Sequence, residues 1–408
     1  MDKPLRFLFS TAEAHPTWRA DVKTLFGKYL PQLGVQTDLV AIQDGPKLAE
    51  PWAGGQLFTR RGDSGLSALM ADLLLQLGLF RRAFGGYDGI IVRDKPVLCL
   101  IGYLAARLAG IPYIYWISFP LPEAFLLLSR DDAGRISRFR RLHLRLRGAL
   151  GTLILNRFVL HHADWVFAQS DYMITDLRAN GLKHERISAV PMGVDVEALP
   201  AAPATTPAEL VDRTIAIYLG SLDRIRKPEI LVDTALLVGP KISNFTLLIV
   251  GEADEPSDRG WLQEYARSCG AMQWLHFTGR LAQSQAMSLT RLARVGLSPI
   301  APSKLTHVSS PTKPLEYMAL GVPVVCNNLP DQASVLAASG AGWCVEFSAQ
   351  EFADAILECL SDPARAEQMS VSGRAWVQAN RSYRSLAEAV AITMRQIHLK
   401  GARTGVSA

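Results

Sequence analysis

Apolar positions along the chain fall into two alternating patterns. Short, nearly continuous runs of apolar and β-branched residues are followed by longer stretches with apolar residues three and four apart. LRFLFS (5–10), TDLVAI (37–42), GIIVR (89–93), IPYIYWI (111–117), DWVFAQS (164–170) and RISAV (186–190) have the continuous pattern of parallel strands covered on both faces. The stretches from Val22 to Leu33 and from Val97 to Leu108 have helical spacing. A Pro-, Ala- and Thr-rich segment, EALPAAPATTPAELVDR (197–213), interrupts the alternation and reads as a linker. Strand patterns then resume with TIAIYLGS (214–221), FTLLIVG (245–251), MQWLHFTG (272–279), VGLSPI (295–300) and VPVVCN (322–327). Repeated βα alternation on both sides of a linker predicts an α/β chain of two Rossmann-like, doubly wound domains. The expected bounds are 1–200, a linker at 201–213, a second domain at 214–385, and a C-terminal helix from 386 that returns to the first domain, followed by a tail. Ligands of such sheets sit beyond the C-terminal ends of the strands, so the strand-to-helix loops are the place to look for chemistry. A cleft between the domains is the expected meeting place of two substrates.

A length of 408 residues is itself more than one ordinary core accommodates. With 49% hydrophobic and 20% charged residues, the chain has a globular rather than a disordered composition. The five cysteines (Cys99, Cys269, Cys326, Cys344, Cys359) include no CxxC pair, which argues against a disulfide framework or a cysteine-bound zinc and for thiols in a reducing, cytoplasmic setting. No apolar run approaches the roughly 20 residues of a membrane span. The opening MDKPLRFLFS is too short for a signal-peptide core and reads as a first strand. A net charge of +5 is too mild to suggest nucleic acid as a partner. No metal pair is found: Asp131 and Asp132 are consecutive in an apparent turn, and His161-His162 reads as packing or surface.

The most informative segment is HVSSPTKPLEYMALGVPVV (307–325). Ser310 is placed to cap a helix with Pro311 at its first position, so that the amides of Thr312 and Lys313 point outward. A helix start with a lysine beside it suits phosphate. Glu316, three residues beyond Lys313, shares its face and can accept both hydroxyls of a ribose. On these residues alone, a capped helix with a solvent-facing Lys-Glu pair fits as well.

The order of pieces narrows the choice. P-x-K-x-x-E-Y-M-A-x-G-x-P-V-V resembles the donor-binding motif of the retaining family 4 glycosyltransferases, also called glycosyl transferases group 1. AQSDYMITDLRANGL with ISAVPMGVD, IAIYLGSLDRIRKPEILVDTALLV, LLIVGE and HFTGRL resemble further segments of that family in its own order, over roughly residues 85–385. The resemblance implies a GT-B fold, two Rossmann-like domains facing a cleft, and a metal-independent transfer of a hexose-type sugar from a nucleotide-diphosphate-sugar. It implies Lys227 and Lys313 against the diphosphate, Glu316 on the ribose, Gly220 in close approach to phosphate and Arg280 beside the base. Gly251, Ser309, Ser310 and Thr312 complete the expected donor site. Two positions depart from the pattern. Val308 stands where the family often has a sugar-binding Glu, and Ser221 where many members have Arg, a charge that Arg226 or Arg224 could supply. The first domain lacks the family's Gly-Gly loop after its first strand and a His after YIYWIS, leaving Arg19 and Glu123 as acceptor-side candidates.

RISRFRRLHLRLRGALGTLI (135–154) carries an apolar stripe (Ile136, Phe139, Leu142, Leu146, Leu153) and a basic one (Arg135, Arg138, Arg141, Arg145). Basic amphipathic helices bind membrane surfaces, which suits a lipid-linked acceptor at the inner face of a membrane. A solvated arginine face on an internal helix is the alternative. Two other functions share much of this pattern: a nucleotide-sugar epimerase of the same architecture, and a non-catalytic nucleotide-sugar-binding subunit. A dehydrogenase is disfavoured, because no G-x-G-x-x-G follows the first strand of either domain.

Overall fold

The computed structural model describes residues 3–17, 19–43, 50–62, 65–130, 137–183, 185–201 and 205–405, without the side chains of 65, 66 and 401–405. Asp131, Asp132, Arg135 and Ile136 lie outside the described residues. Two units result: residues 1–191 with 383–408, and residues 192–382.

In the first unit, strands β1 (Leu5–His15), β2 (Val35–Gln43), β3 (Leu57–Arg61), β4 (Gly89–Arg93), β5 (Tyr113–Ile117), β6 (Trp165–Ala168) and β7 (Ile187–Ala189) form one sheet in the order β3-β2-β1-β4-β5-β6-β7. Every pairing is parallel. The five residues of β4 and of β5 are all buried, as continuous apolar runs require. Two features differ from the sequence reading. The first strand runs on to His15, with its register against β2 shifting between Ser10 and Ala14, so the residues expected as a loop are largely strand. Edge strand β3 (LFTRR) had no pattern to announce it, since its residues are half-buried or exposed. The predicted helix after β1 begins at Asp21 and continues through Gln32, its Asp21–Tyr29 portion wound as a wide π-helix.

The second unit repeats the plan with β8 (Thr214–Leu219), β9 (Phe245–Val250), β10 (Leu275–Gly279), β11 (Val295–Ser298), β12 (Val324–Asn327) and β13 (Gly342–Val345). Their order, β10-β9-β8-β11-β12-β13, is the 3-2-1-4-5-6 arrangement of dinucleotide-binding sheets. Edge strand β13 again escaped prediction because its residues are half-buried or exposed. The segment expected as a linker lies inside this unit: Leu210 is buried in a cluster with Ile215, Leu315 and Val335. Leu199 packs against the same cluster, so both described ends of this Pro- and Ala-rich stretch lie on the core.

The chain re-enters the first unit at Tyr383. The helix Tyr383–Gly405 sets Tyr383, Ala387, Val390 and Met394 against Val22, Leu25, Phe26 and Tyr29. No helix among the described residues is long and apolar enough to cross a membrane. The five cysteines are free thiols, and His162 stacks on Phe158 with ring centroids 4.5 Å apart.

Candidate functional site

At the C-terminal ends of β8, β9 and β10 each strand reaches a glycine: Gly220 (φ 153°), Gly251 (φ 149°) and Gly279. A Cβ on Gly251 would lie 1.9 Å from the carbonyl oxygen of Gly220, and one on Gly220 would lie 2.7 Å from Lys313 Cε. The backbone contact at Gly251 cannot yield, so space as well as φ dictates glycine there; at Gly220 the contact is to the mobile end of Lys313 and φ is the stronger demand. The crowding leaves an open pocket of about 340 Å³, lined by Gly220, Ser221, Gly251, Glu252, Arg280, Thr312, Lys313 and Glu316, with Leu281, Ala286 and Met287 as an apolar wall.

Lys313 and Glu316 come from the seven-residue helix Lys313–Ala319. Its next residue, Tyr317, is completely buried and fixes the helix to the sheet. The Tyr317 hydroxyl accepts the Leu219 N–H of β8 at 2.8 Å and donates to the Leu297 carbonyl of β11 at 3.1 Å. Its ring occupies the space over Gly296, where a Cβ would come within 2.5 Å.

Neither Lys313 nor Glu316 has a hydrogen-bond or ion-pair partner among the described residues; the ammonium lies 5.1 Å from the centroid of the Tyr218 ring. Their surroundings show in their acidities. Burial, with Arg226 adding a like charge and Glu316 opposing, brings Lys313 down to about 8. Burial, opposed by Lys313, lifts Glu316 to about 7. A desolvated, unpartnered cation and carboxylate one turn apart can bind an anion and a pair of hydroxyls side by side.

The sequence-predicted residues divide. Gly220, Ser221, Gly251, Arg280, Thr312, Lys313 and Glu316 come together around the pocket. The Ser221 hydroxyl donates to Asp223, and Arg280 forms an exposed 3.5 Å pair with Asp254. Lys227 is exposed in a left-handed turn (φ 53°) after Arg224–Arg226 and does not line the pocket. Arg226 does not line it either, although its charge is felt by Lys313.

Ser310 needs correction. It does not cap the helix, which begins at Lys313 behind Thr312, with Pro314 rather than Pro311 in the first turn. Its buried hydroxyl donates to Asp331 at 2.8 Å and accepts from the Met192 amide (3.1 Å) and Arg381 (3.2 Å). Arg381 also pairs with Asp331 at 2.8 Å. Ser310 thus ties together the places where the chain enters and leaves the second unit. Val308 is buried, and the Ser309 hydroxyl donates to the Thr306 carbonyl, so neither side chain faces the pocket.

In the first unit, Arg19 joins a network at the strand ends. Arg93, with no exposed surface, pairs with Asp21 (2.7 Å), Asp94 (3.1 Å) and Glu13 (3.3 Å). Arg19 lies 3.6 Å from Asp21 and 3.7 Å from Glu13, and donates to the Ser118 hydroxyl at 3.3 Å. Ser118 in turn donates to Asp94. Burial raises the Asp94 carboxyl despite Arg93 and Ser118, whereas Arg93 and Arg19 outweigh burial and lower Asp21. Sequence reading missed Arg93 and Asp94, though a charged R-D-K beginning at the last residue of an otherwise apolar strand was the available sign. Glu123 stands apart, exposed in the first turn of the helix Leu121–Leu128, its pKa raised by partial desolvation and then by Asp176. No group of three His, Cys, Asp or Glu among the described residues is placed to hold a metal ion.

Two Rossmann-like sheets and a pocket of about 340 Å³ at a glycine-rich strand edge are the parts of a GT-B-type glycosyltransferase. The chain belongs to the family 4 kind: residues 24–198 match the model described as Glycosyltransferase Family 4, and residues 213–362 that described as Glycosyl transferases group 1. It is similar to TuaH of Bacillus subtilis, a glycosyltransferase proposed for teichuronic acid biosynthesis, at 25% identity over 70% of this chain and 72% of the relative. Similarity to the GDP-mannose-dependent alpha-(1-6)-phosphatidylinositol monomannoside mannosyltransferase of Mycobacterium tuberculosis is 27% over 50% of this chain, spanning only 55% of that relative. The fold is shared with sucrose-phosphate synthase of Thermosynechococcus elongatus, with a TM-score of 0.71, 19% identity and coverage of 97% of this chain and 100% of that one.

Two outcomes follow from the geometry. Replacing Ser310 with Ala removes the acceptor for two donors and leaves Asp331 short of one, so unfolding free energy should fall by about 1–3 kcal/mol while nucleoside-diphosphate affinity stays within error. A loss of affinity at unchanged stability would return Ser310 to the pocket. Affinity for whichever of UDP, GDP and ADP binds best should rise as Glu316 ionises through about 7 and fall as Lys313 loses its proton through about 8. Titration calorimetry across the neutral range measures this, and a flat profile would show that these groups do not govern binding.

Proposed function

We propose that the chain transfers a hexose-type sugar, with retention of configuration, from a nucleotide-diphosphate-sugar to a saccharide or lipid-linked acceptor in surface polysaccharide or glycolipid assembly. The observation that carries this reading is the unpartnered Lys313–Glu316 pair facing the glycine edge of β8 and β9. In this account the diphosphate lies over Gly220 and Gly251, whose bare backbone admits it, and Lys313 neutralises it. Glu316 accepts the ribose hydroxyls, and the base lies along Leu281 and Met287 near the Arg280 main chain. As the bond from the sugar to the diphosphate breaks, negative charge grows on the leaving group. A lysine already desolvated and aimed there stabilises that charge without reorganisation. Arg226 and Lys227 extend the positive rim from the turn after β8, and this arrangement asks for no metal. Retention rests on the family resemblance.

Two features favour a lipid-linked acceptor and a cytoplasmic enzyme working at the inner membrane face. The M. tuberculosis relative acts on a phosphatidylinositol mannoside, by its description. The helix Arg138–Ile154 leaves Phe139, Leu142, Leu146 and Leu153 exposed, with Phe139 at 82%, beside Arg138, Arg141 and Arg145. Each basic residue near an anionic leaflet contributes about 1 kcal/mol. In this account the acceptor binds near the Arg19–Arg93 network, at the ligand-facing strand ends of the first unit, with Glu123 as a second candidate for that side.

Slow hydrolysis of the donor by the wild-type protein should drop by roughly a hundredfold to a thousandfold in Lys313→Ala, and Glu316→Ala should weaken donor binding. Epimerised donor in the same incubation would replace transfer with epimerisation, and absence of any donor turnover with intact binding would make the chain a binding subunit. Replacing Arg138, Arg141 and Arg145 with Ser should release the protein from phosphatidylglycerol vesicles. A wild-type protein that never sediments with them removes the membrane from the account.

A further inference from the structure

The first unit holds a second, larger cavity, of about 730 Å³, within the ~300–1,000 Å³ typical of ligand pockets. Its floor is the C-terminal ends of β1 and β2, at Ala12 and Ile42, with the turn after β4. One wall is a face of the helix Gly65–Arg82, the other a face of Arg138–Ile154. The apolar lining is continuous, through Leu69, Leu73, Val97, Leu98, Leu146 and Leu150.

The second wall is mounted in an unusual way. Gly148 and Gly151 are the buried residues of Arg138–Ile154. A Cβ on Gly148 would lie 2.7 Å from Leu126, and one on Gly151 3.1 Å from Pro96. The helix therefore rests on its glycine face, and Leu146 (62% exposed) and Leu150 (47%) are left at the mouth opposite Leu69 (45%). A mouth apolar on both sides is unfavourable in water and favours an apolar occupant.

Most of the charged lining residues are paired. Buried Lys95 pairs with Asp72 at 2.6 Å, and Asp94 is held by Arg93 and Ser118. Arg147 is the lining cation with no ion-pair partner among the described residues; its guanidinium sits 4.4 Å from the Phe125 ring centroid. An exposed cation that only Asp72 partly balances, beside an apolar slot, is complementary to a hydrocarbon chain ending in a phosphate. It is poorly suited to a sugar, which would need many free donors and acceptors.

We propose that this cavity receives a hydrocarbon chain of a lipid phosphate, with the chain between Leu69, Leu73, Val97 and Leu150 and the phosphate against Arg147. The inference rests on the reading that the acceptor is lipid-linked and gives that lipid a defined seat, distinct from adsorption of the outer helix face to a bilayer.

The test uses the full chain and dodecyl phosphate below its micelle-forming concentration, followed by titration calorimetry. Saturable one-site binding is expected, absent in Val97→Trp and in Ala68→Trp, which fill the slot from its floor and from one wall. Arg147→Gln should weaken it by roughly tenfold or more, and inorganic phosphate alone should not bind there. The double variant Leu142→Ser, Leu153→Ser, altered only outside the slot, should bind dodecyl phosphate as wild type does. No saturable binding overturns the proposal, as does binding that survives both Trp variants in proteins with native circular dichroism. Donor hydrolysis measured in parallel separates the two readings. Turnover without dodecyl phosphate binding sinks only the lipid seat, and dodecyl phosphate binding without turnover sinks only the transferase chemistry.

Discussion

Tyr317 is the fixed point of the second unit. Its hydroxyl closes hydrogen bonds to two neighbouring strands, β8 and β11, and its ring needs the bare backbone of Gly296. A seven-residue helix has little stability of its own, so its place is set by tertiary contacts: Leu315, Met318 and Ala319 pack in the core, and Tyr317 adds the hydrogen bonds to the sheet. Lys313 and Glu316, four residues and one residue before Tyr317, inherit their direction from this packing. Loss of the hydroxyl would orphan a buried N–H and a buried carbonyl at once, beneath the two functional groups.

The pocket those groups face is kept polar at a cost. Lys313 and Glu316 lack compensating partners and have acidities moved toward neutrality by burial. Such groups are unfavourable in the empty protein and favourable once an anion and hydroxyls arrive, which is how a binding site stores affinity for charge. Ser310, Asp331 and Arg381 show the opposite economy three residues away. Their hydrogen-bonding capacity is spent on each other and on Met192, and they hold the unit's entry and exit points in place.

The first unit concentrates its buried charge on Arg93, which three carboxylates surround. A guanidinium with no exposed surface is tolerable only with such an enclosure. The cluster orders the strand ends from which Arg19 and Ser118 extend. Beside it, two glycines let an arginine-rich helix lie close to the fold while most of its apolar side chains stay outside.

The strand pattern, the two-unit plan and the motif carrying Lys313 and Glu316 were all legible in the chain itself. Continuous apolar runs bury both faces wherever they fold, and an ordered set of motifs narrows chemistry more than any one residue can. Edge strands β3 and β13 were not legible, because half-exposed strands carry no obligatory hydrophobic period. Nor could sequence distinguish Ser310 from Thr312 at the helix start, since its true partners, Asp331 and Arg381, are 21 and 71 residues away. Lys227 and Lys313 look alike as cations in a sequence; only packing places one beside the glycine edge and leaves the other on an exposed turn. Local pattern determined which elements form, while partners distant in the chain decided which polar groups are satisfied and which remain free to bind.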